Sequence, residues 1–131
     1  TAETAGIHHI VTCGITPTPP HPKVMKTALT SCENIPTTHY TNSIDAITQL
    51  ESDGYTIISL ETTSRSINYH EMKYPKKIAL VVGHEKTGVS QAIMEKSKHI
   101  VEIPTYGLKN SLNVVTATSI VLFEVLRQWN I

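Results

Sequence analysis

Ile78-Ala79-Leu80-Val81-Val82 runs straight into Gly83-His84-Glu85-Lys86-Thr87-Gly88, and this stretch decides the fold. Five aliphatic residues ending at a glycine predict a buried strand that stops at a sharp turn. A second apolar run, His99-Ile100-Val101-Glu102-Ile103, ends in the same way at Pro104 and Gly107. Ser111-Leu112-Asn113 come next, and then a long apolar tail to Trp129. Strand ends that lead into glycine-bearing loops are where open α/β sheets hold their ligands. Both loops also carry short polar side chains able to face such a ligand.

Outward from that stretch, composition sets bounds. The 131 residues are expected to form one domain, 1–131, large enough to bury about two thirds of its unfolded surface. Apolar residues make up 40% and aromatic ones only 5%, so the core must be mainly Val, Ile and Leu, which favours strands covered by helices. The formal net charge is zero, so no global field draws in nucleic acid and any such binding must use a local patch. Arg65 and Arg127 are the only arginines. Two cysteines, Cys13 and Cys32, do not make a disulfide framework. With no apolar leader core and no apolar run of bilayer length, a reduced, cytoplasmic protein is expected.

Taken in order, Thr1 to Gly6 reads as the last turn of a helix closed by glycine. Ile7 to Cys13 reads as a strand stopped by Gly14, and the four prolines between Ile15 and Pro22 as a stiff loop. A helical turn is expected within 24–35, and a short strand at Thr37–Tyr40. Asn42 to Asp53 has a capping residue, an acid in its first turn and an apolar face of Ile44, Ile47 and Leu50, which predicts a helix closed by Gly54. Tyr55–Leu60 reads as a strand, and the polar run from Glu61 to Lys77 as a long surface loop. The Ile78 strand, a helix near Val89–Glu95, the His99 strand and a final helix Val114–Trp129 complete the chain. The final helix has β-branched residues that would suit a strand, but its length argues for helix. It also has two apolar stripes, and the second, Leu122, Leu126 and Trp129, is expected to meet another subunit.

Three features then carry a resemblance: Gly83-His84-Glu85-Lys86-Thr87-Gly88 after a strand, Ile103-Pro104 with Gly107, and Ser111-Leu112-Asn113-Val114 opening the last helix. Each is weak alone, but in this order and spacing they resemble the SpoU/TrmH family of SPOUT RNA methyltransferases. The pattern there is G-x-E-x-x-G, then I-P-x-x-G, then S-L-N-V. The resemblance covers the whole chain, including the loop from Ile15 to Lys23, and is most specific from Ile78 onward. It implies an α/β fold, a mostly parallel sheet flanked by helices, with a C-terminal trefoil knot. It also implies S-adenosyl-L-methionine as methyl donor, methylation of a ribose 2′-hydroxyl in tRNA or rRNA, and a homodimer through the C-terminal helix. In that family an upstream motif ends in an arginine linked to catalysis. Thr1-Ala2-Glu3 is similar to the residues directly after that arginine, so the chain is expected to lack the first strand and first motif. Val115 stands where a serine or similar small residue is common.

Methyl transfer to a hydroxyl is an in-line displacement, and alignment of two held ligands can supply up to about 7–11 kcal/mol of its barrier. Gly83 and Gly88 allow backbone to approach a ligand closely. Glu85 either holds the loop or contacts substrate; its plain reading is a tight turn with a carboxylate near a helix N-terminus. Ser111 and Asn113 suit capping of the last helix, and the resemblance adds that they line the active site. Glu85, Ser111 and Asn113 are therefore the expected catalytic residues. Gly83, Gly88 and Gly107, with Leu60, Ile103 and Leu112 as an adenine-pocket wall, are the expected cofactor-binding ones. Lys23, Lys26, Lys73, Lys76, Lys77 and Lys86 are either a phosphate-facing rim or a solvated face. No pair among His8, His9, His21, Cys13 and Cys32 has a zinc-ligand spacing, and no metal is expected. The alternative function is a catalytically silent RNA- or cofactor-binding module of the same fold. A generic nucleotide-binding α/β protein is a third.

Overall fold

A computed structural model describes residues 1–18, 20–22, 24–25 and 31–131. They fall into two compact units, Thr1–Thr48 and Gln49–Ile131.

In the first unit the chain opens with the expected helical turn. Ala5 N–H donates to Thr1 O at 2.8 Å, Gly6 N–H to Glu3 O at 3.0 Å and Ile7 N–H to Ala2 O at 3.0 Å. That bond set, with Gly6 at φ +68°, is a helix end closed by a left-handed residue. Strands β1 (Ile10–Cys13) and β2 (Thr37–Tyr40) pair in parallel, Ile10 opposite Thr37 and Cys13 opposite Tyr40. β1 is shorter than the expected Ile7–Cys13. Its first ladder bond is Ile10 N–H to Pro36 O at 2.9 Å, and Pro36 has no N–H with which to extend the pairing. The helical turn expected over 24–35 is seen at Val24 and Met25, where Met25 N–H donates to His21 O at 3.0 Å, and at α1 (Ser31–Asn34); the residues between lie outside the described ones, as do Lys23 and Lys26. Burial pushes the Cys13 thiol above its usual range, with a hydrogen bond from Ser43 working the other way.

The boundary between the units falls within α2 (Ser43–Ser52), where Asn42 Oδ1 accepts from Ile44 N–H at 2.8 Å as the expected cap. Ala46 and Ile47 are its buried residues.

The second unit is a four-stranded sheet of β3 (Thr56–Leu60), β4 (Ile67–Asn68), β5 (Ile78–Val81) and β6 (His99–Glu102), in the order β4-β6-β3-β5 with every pairing parallel. Helices α3 (Gln91–Lys96) and α4 (Val114–Trp129) complete it. The expected mostly parallel α/β architecture is what is found. Central strands β3 and β6 are apolar at successive positions, Ile57-Ile58 and Ile100-Val101, as strands buried on both faces must be. The core joins Ile58, Val101, Val121 and Val125 with Met72 and Tyr74.

Those last two residues correct the reading of Glu61–Lys77 as a surface loop. Met72 and Tyr74 are buried, and Ile67–Asn68 pairs with β6. The segment is held from α4: Gln128 Oε1 accepts from Tyr74 N–H at 3.2 Å, Gln128 Nε2 donates to Met72 O at 2.8 Å, and Trp129 Nε1 donates to Tyr74 O at 3.1 Å. Its polar sequence hides these partners because they lie more than fifty residues away.

Helix α4 has the bounds expected for it. Thr118 and Ser119 hydroxyls donate to the carbonyls of Val114 and Val115 four residues back, absorbing groups that would otherwise favour other backbone shapes. The stripe expected to face another subunit does not do so in full: Leu122 is buried, and Trp129 packs against the core through its bond to Tyr74. The exposed large apolar residues of this helix are Val115 and Phe123.

Candidate active site

The carboxyl ends of β3, β5 and β6 and the amino end of α4 surround a cleft of about 750 Å³. Parallel strands all point their C-terminal ends to one edge, so the loops that leave them meet there. Leu60 closes β3, Ile103 lies just past β6, and Leu112 sits before α4; all three line the cleft.

Beyond β5 the chain makes a closed loop. His84 N–H donates to Gly88 O at 3.3 Å, and Gly88 N–H donates to His84 O at 2.7 Å. Lys86 N–H donates to His84 Nδ1 at 3.1 Å, which fixes Nδ1 as the acceptor. The two glycines are required for different reasons, Gly83 by the backbone packed against it and Gly88 by its left-handed φ. A Cβ on Gly83 would land on the backbone of Gly88 and Val89; one on Gly88, at φ +70°, would land on the Glu61 carboxylate. Glu85, Lys86 and Thr87 form the exposed tip and face the cleft. The tight turn expected around Glu85 is present, but α3 begins only at Gln91, capped by Ser90, so Glu85 is not a helix-terminal carboxylate.

At the amino end of α4, Asn113 and not Ser111 is the cap. Its Oδ1 accepts from Val115 N–H at 2.9 Å and Thr116 N–H at 3.3 Å. Both lone pairs of that oxygen are engaged, which leaves the amide NH₂ as the group that can meet a ligand. Ser111 and Asn113 are both exposed and both line the cleft.

Of the nine residues singled out by sequence, eight line this one cleft: Glu85, Ser111, Asn113, Leu60, Gly83, Gly88, Ile103 and Leu112. Gly107 does not. It lies in an exposed loop between Tyr106 and Leu108, and a Cβ there would meet nothing within 4 Å. Of the candidate lysine rim, Lys86 lines the cleft. Lys76 donates to Trp129 O, and Lys77 donates to Asp53 O and lies 4.7 Å from the centre of the Tyr55 ring, so both serve the fold.

Sequence reading missed Glu61, Thr62, Thr63 and Lys109, which also line the cleft. Glu61 is the first residue past β3, and the position just after a parallel strand is itself the signal that could have found it. Among the cleft carboxylates, Glu102 accepts from Ser66 Oγ at 2.9 Å and Glu61 from Val89 N–H at 3.1 Å, so both are held within the fold.

A profile of the SpoU rRNA Methylase family matches residues 1–123. The chain belongs to the SpoU family. The tRNA (guanosine(18)-2′-O)-methyltransferase of Aquifex aeolicus is 38% identical over 87 residues, 66% of this chain and 41% of the relative. An uncharacterized tRNA/rRNA methyltransferase of Borreliella burgdorferi is 32% identical over 131 residues, 100% of this chain and 57% of the relative. The chain thus spans about half the length of the curated relatives it matches. Among solved structures, the AdoMet-bound rRNA methyltransferase of Sinorhizobium meliloti superposes with a TM-score of 0.88 at 28% identity, covering 96% of this chain and 48% of its own. These SpoU relatives have the same mostly parallel α/β fold class.

Proposed function

We propose that this chain forms the methyl-donor site of an S-adenosyl-L-methionine-dependent RNA 2′-O-methyltransferase acting on a ribose of tRNA or rRNA. The observation that carries the reading is convergence: three motif pieces spread from Gly83 to Asn113 line one cleft with Leu60. The names of the relatives, which are RNA methyltransferases, and the AdoMet-bound neighbour support the same class of chemistry.

The cleft fits such a group in size and chemistry. Its volume, about 750 Å³, lies within the range typical of small-molecule sites. Leu60, Ile103 and Leu112 offer an apolar wall for a purine, and the backbone at Gly83 and Gly88 comes to the surface without side chains in the way. Gly107 belongs to this set on the family pattern and would have to reach the ligand from the neighbouring loop. S-adenosylmethionine supplies an electrophilic methyl group when bound. The chain supplies alignment: the Asn113 NH₂ and the Ser111 hydroxyl orient polar groups at the amino end of α4, and Glu85 contacts the ribose side from the loop tip. Lys86 and Lys109 on the cleft lining provide charge for a phosphate backbone, which a chain of zero net charge must do locally.

The reading extends to a homodimer through α4, supported by the exposed Val115 and Phe123, and to a threaded C-terminal segment. It also places the protein in the cytoplasm, where tRNA and rRNA are modified. A free Cys13 suits that setting, and among the described residues no helix is long and apolar enough to cross a membrane. The test is transfer of tritiated methyl from S-adenosylmethionine to bulk tRNA or rRNA, followed by digestion to nucleosides. Label on ribose is expected; label on bases contradicts the reaction class.

A further inference from the structure

We infer that Glu61 is a positioning residue that locks the 83–89 loop to the sheet; the inference rests on the reading of that loop as the cofactor side of the cleft. Glu61 is the residue at which three strand ends are joined. Its own N–H donates to Val101 O of β6 at 3.0 Å. Its Oε2 accepts from Val89 N–H at 3.1 Å, on the far side of the loop that leaves β5. Its Oε1 accepts from Thr62 N–H at 3.0 Å, which sets the side-chain direction from the end of β3. The carboxylate also fills the space a Cβ would take on Gly88, so the absence of a side chain there is what lets Glu61 lie against the loop.

The bonds between His84, Lys86 and Gly88 shape the loop internally. Glu61 does something different, because it fixes where that shaped loop sits relative to Leu60 and Ile103 across the cleft. Val89 is buried, so its N–H needs an acceptor inside the protein, and a carboxylate is a stronger one than a neutral oxygen. A loop that presents backbone to a ligand binds well only when its position is settled beforehand.

Three variants test this: Glu61→Ala, which removes the acceptor, Glu61→Asp, which keeps the charge but falls short, and Glu61→Gln, which keeps an oxygen in reach of Val89. Two readouts are taken on each, amide hydrogen exchange at Val89 and calorimetric binding of S-adenosylhomocysteine, with far-UV circular dichroism as a check on folding. In Glu61→Ala and Glu61→Asp, Val89 is expected to exchange about ten- to hundredfold faster and binding to weaken by a similar factor, the size of one lost bond to a charged group. Glu61→Gln is expected to recover most of both, and a control, Glu61→Met, which keeps the length but offers no comparable acceptor, is expected to behave like Glu61→Ala, which a loss of packing alone would not produce. Unchanged Val89 exchange in Glu61→Ala, or a Glu61→Gln variant as impaired as Glu61→Ala, overturns the inference. If the unaltered protein binds no S-adenosylhomocysteine, the cofactor reading fails, and the Val89 exchange still decides whether Glu61 holds the loop.

Discussion

The two loops that line the cleft are built in opposite ways. The 83–88 loop after β5 is closed on itself by paired backbone bonds, needs glycine at 83 for want of space and at 88 for its left-handed φ, and is tied to the sheet by Glu61. The loop after β6 has no such closure around Gly107, where a Cβ would meet nothing, and its neighbours Tyr106 and Leu108 are 94% and 108% exposed. The difference teaches that one side of the cleft is fixed by bonds within the chain, while the other presents exposed side chains to solvent.

Breaking the rigid side should have the largest effect. Gly83→Ala puts a methyl group into the backbone of Gly88 and Val89, and no side chain can move aside to relieve it. It is expected to cost about 3 kcal/mol, measured by urea denaturation followed through the fluorescence of Trp129, with loss of S-adenosylhomocysteine binding. Gly88→Ala meets a carboxylate that can shift, but it keeps the left-handed strain, so a smaller cost of about 2 kcal/mol is expected on the same assay. Asn113→Ala removes the cap of α4 and should cost about 1 kcal/mol; Asn113→Asp, which keeps the cap oxygen but loses the NH₂, should keep stability and lose methyl transfer. Gly107→Ala completes the contrast. With open space around it, stability should move by no more than about 0.5 kcal/mol. An effect on ligand binding from that variant, without one on stability, would show that Gly107 lies against the bound ligand.

The sequence was readable where local signals and long-range packing agree. Strand β2 and helix α4 have the bounds expected from their patterns, and Gly6, Asn42 and Gly54 end or cap the elements they were expected to. It misled where a segment's partners lie far along the chain. Met72 and Tyr74 sit in a polar run whose burial depends on Gln128 and Trp129, and the order β4-β6-β3-β5 has no local trace at all. Eight of the nine residues expected at the site line the cleft: Gly83, Gly88 and Asn113 have local turn and cap signals, whereas Leu60, Ile103 and Leu112 came from the family resemblance. Glu61 was not, because a lone glutamate after a strand looks like any solvated residue until Val89 is brought to it. Leu122 was misassigned for a related reason: an apolar stripe on a helix does not say whether the chain or a partner will cover it.

The central claim is that the cleft between these two loops takes the methyl donor, and a crystal structure with S-adenosylhomocysteine bound tests it most directly. The adenosyl group is expected against Leu60, Ile103 and Leu112, with its polar end toward the 83–88 loop. A second cleft, of about 310 Å³, lies in the same unit beside Tyr55, Lys96 and Lys98, near the starts of β3 and β6. Density for the ligand there, with the larger cleft unchanged, would contradict the account.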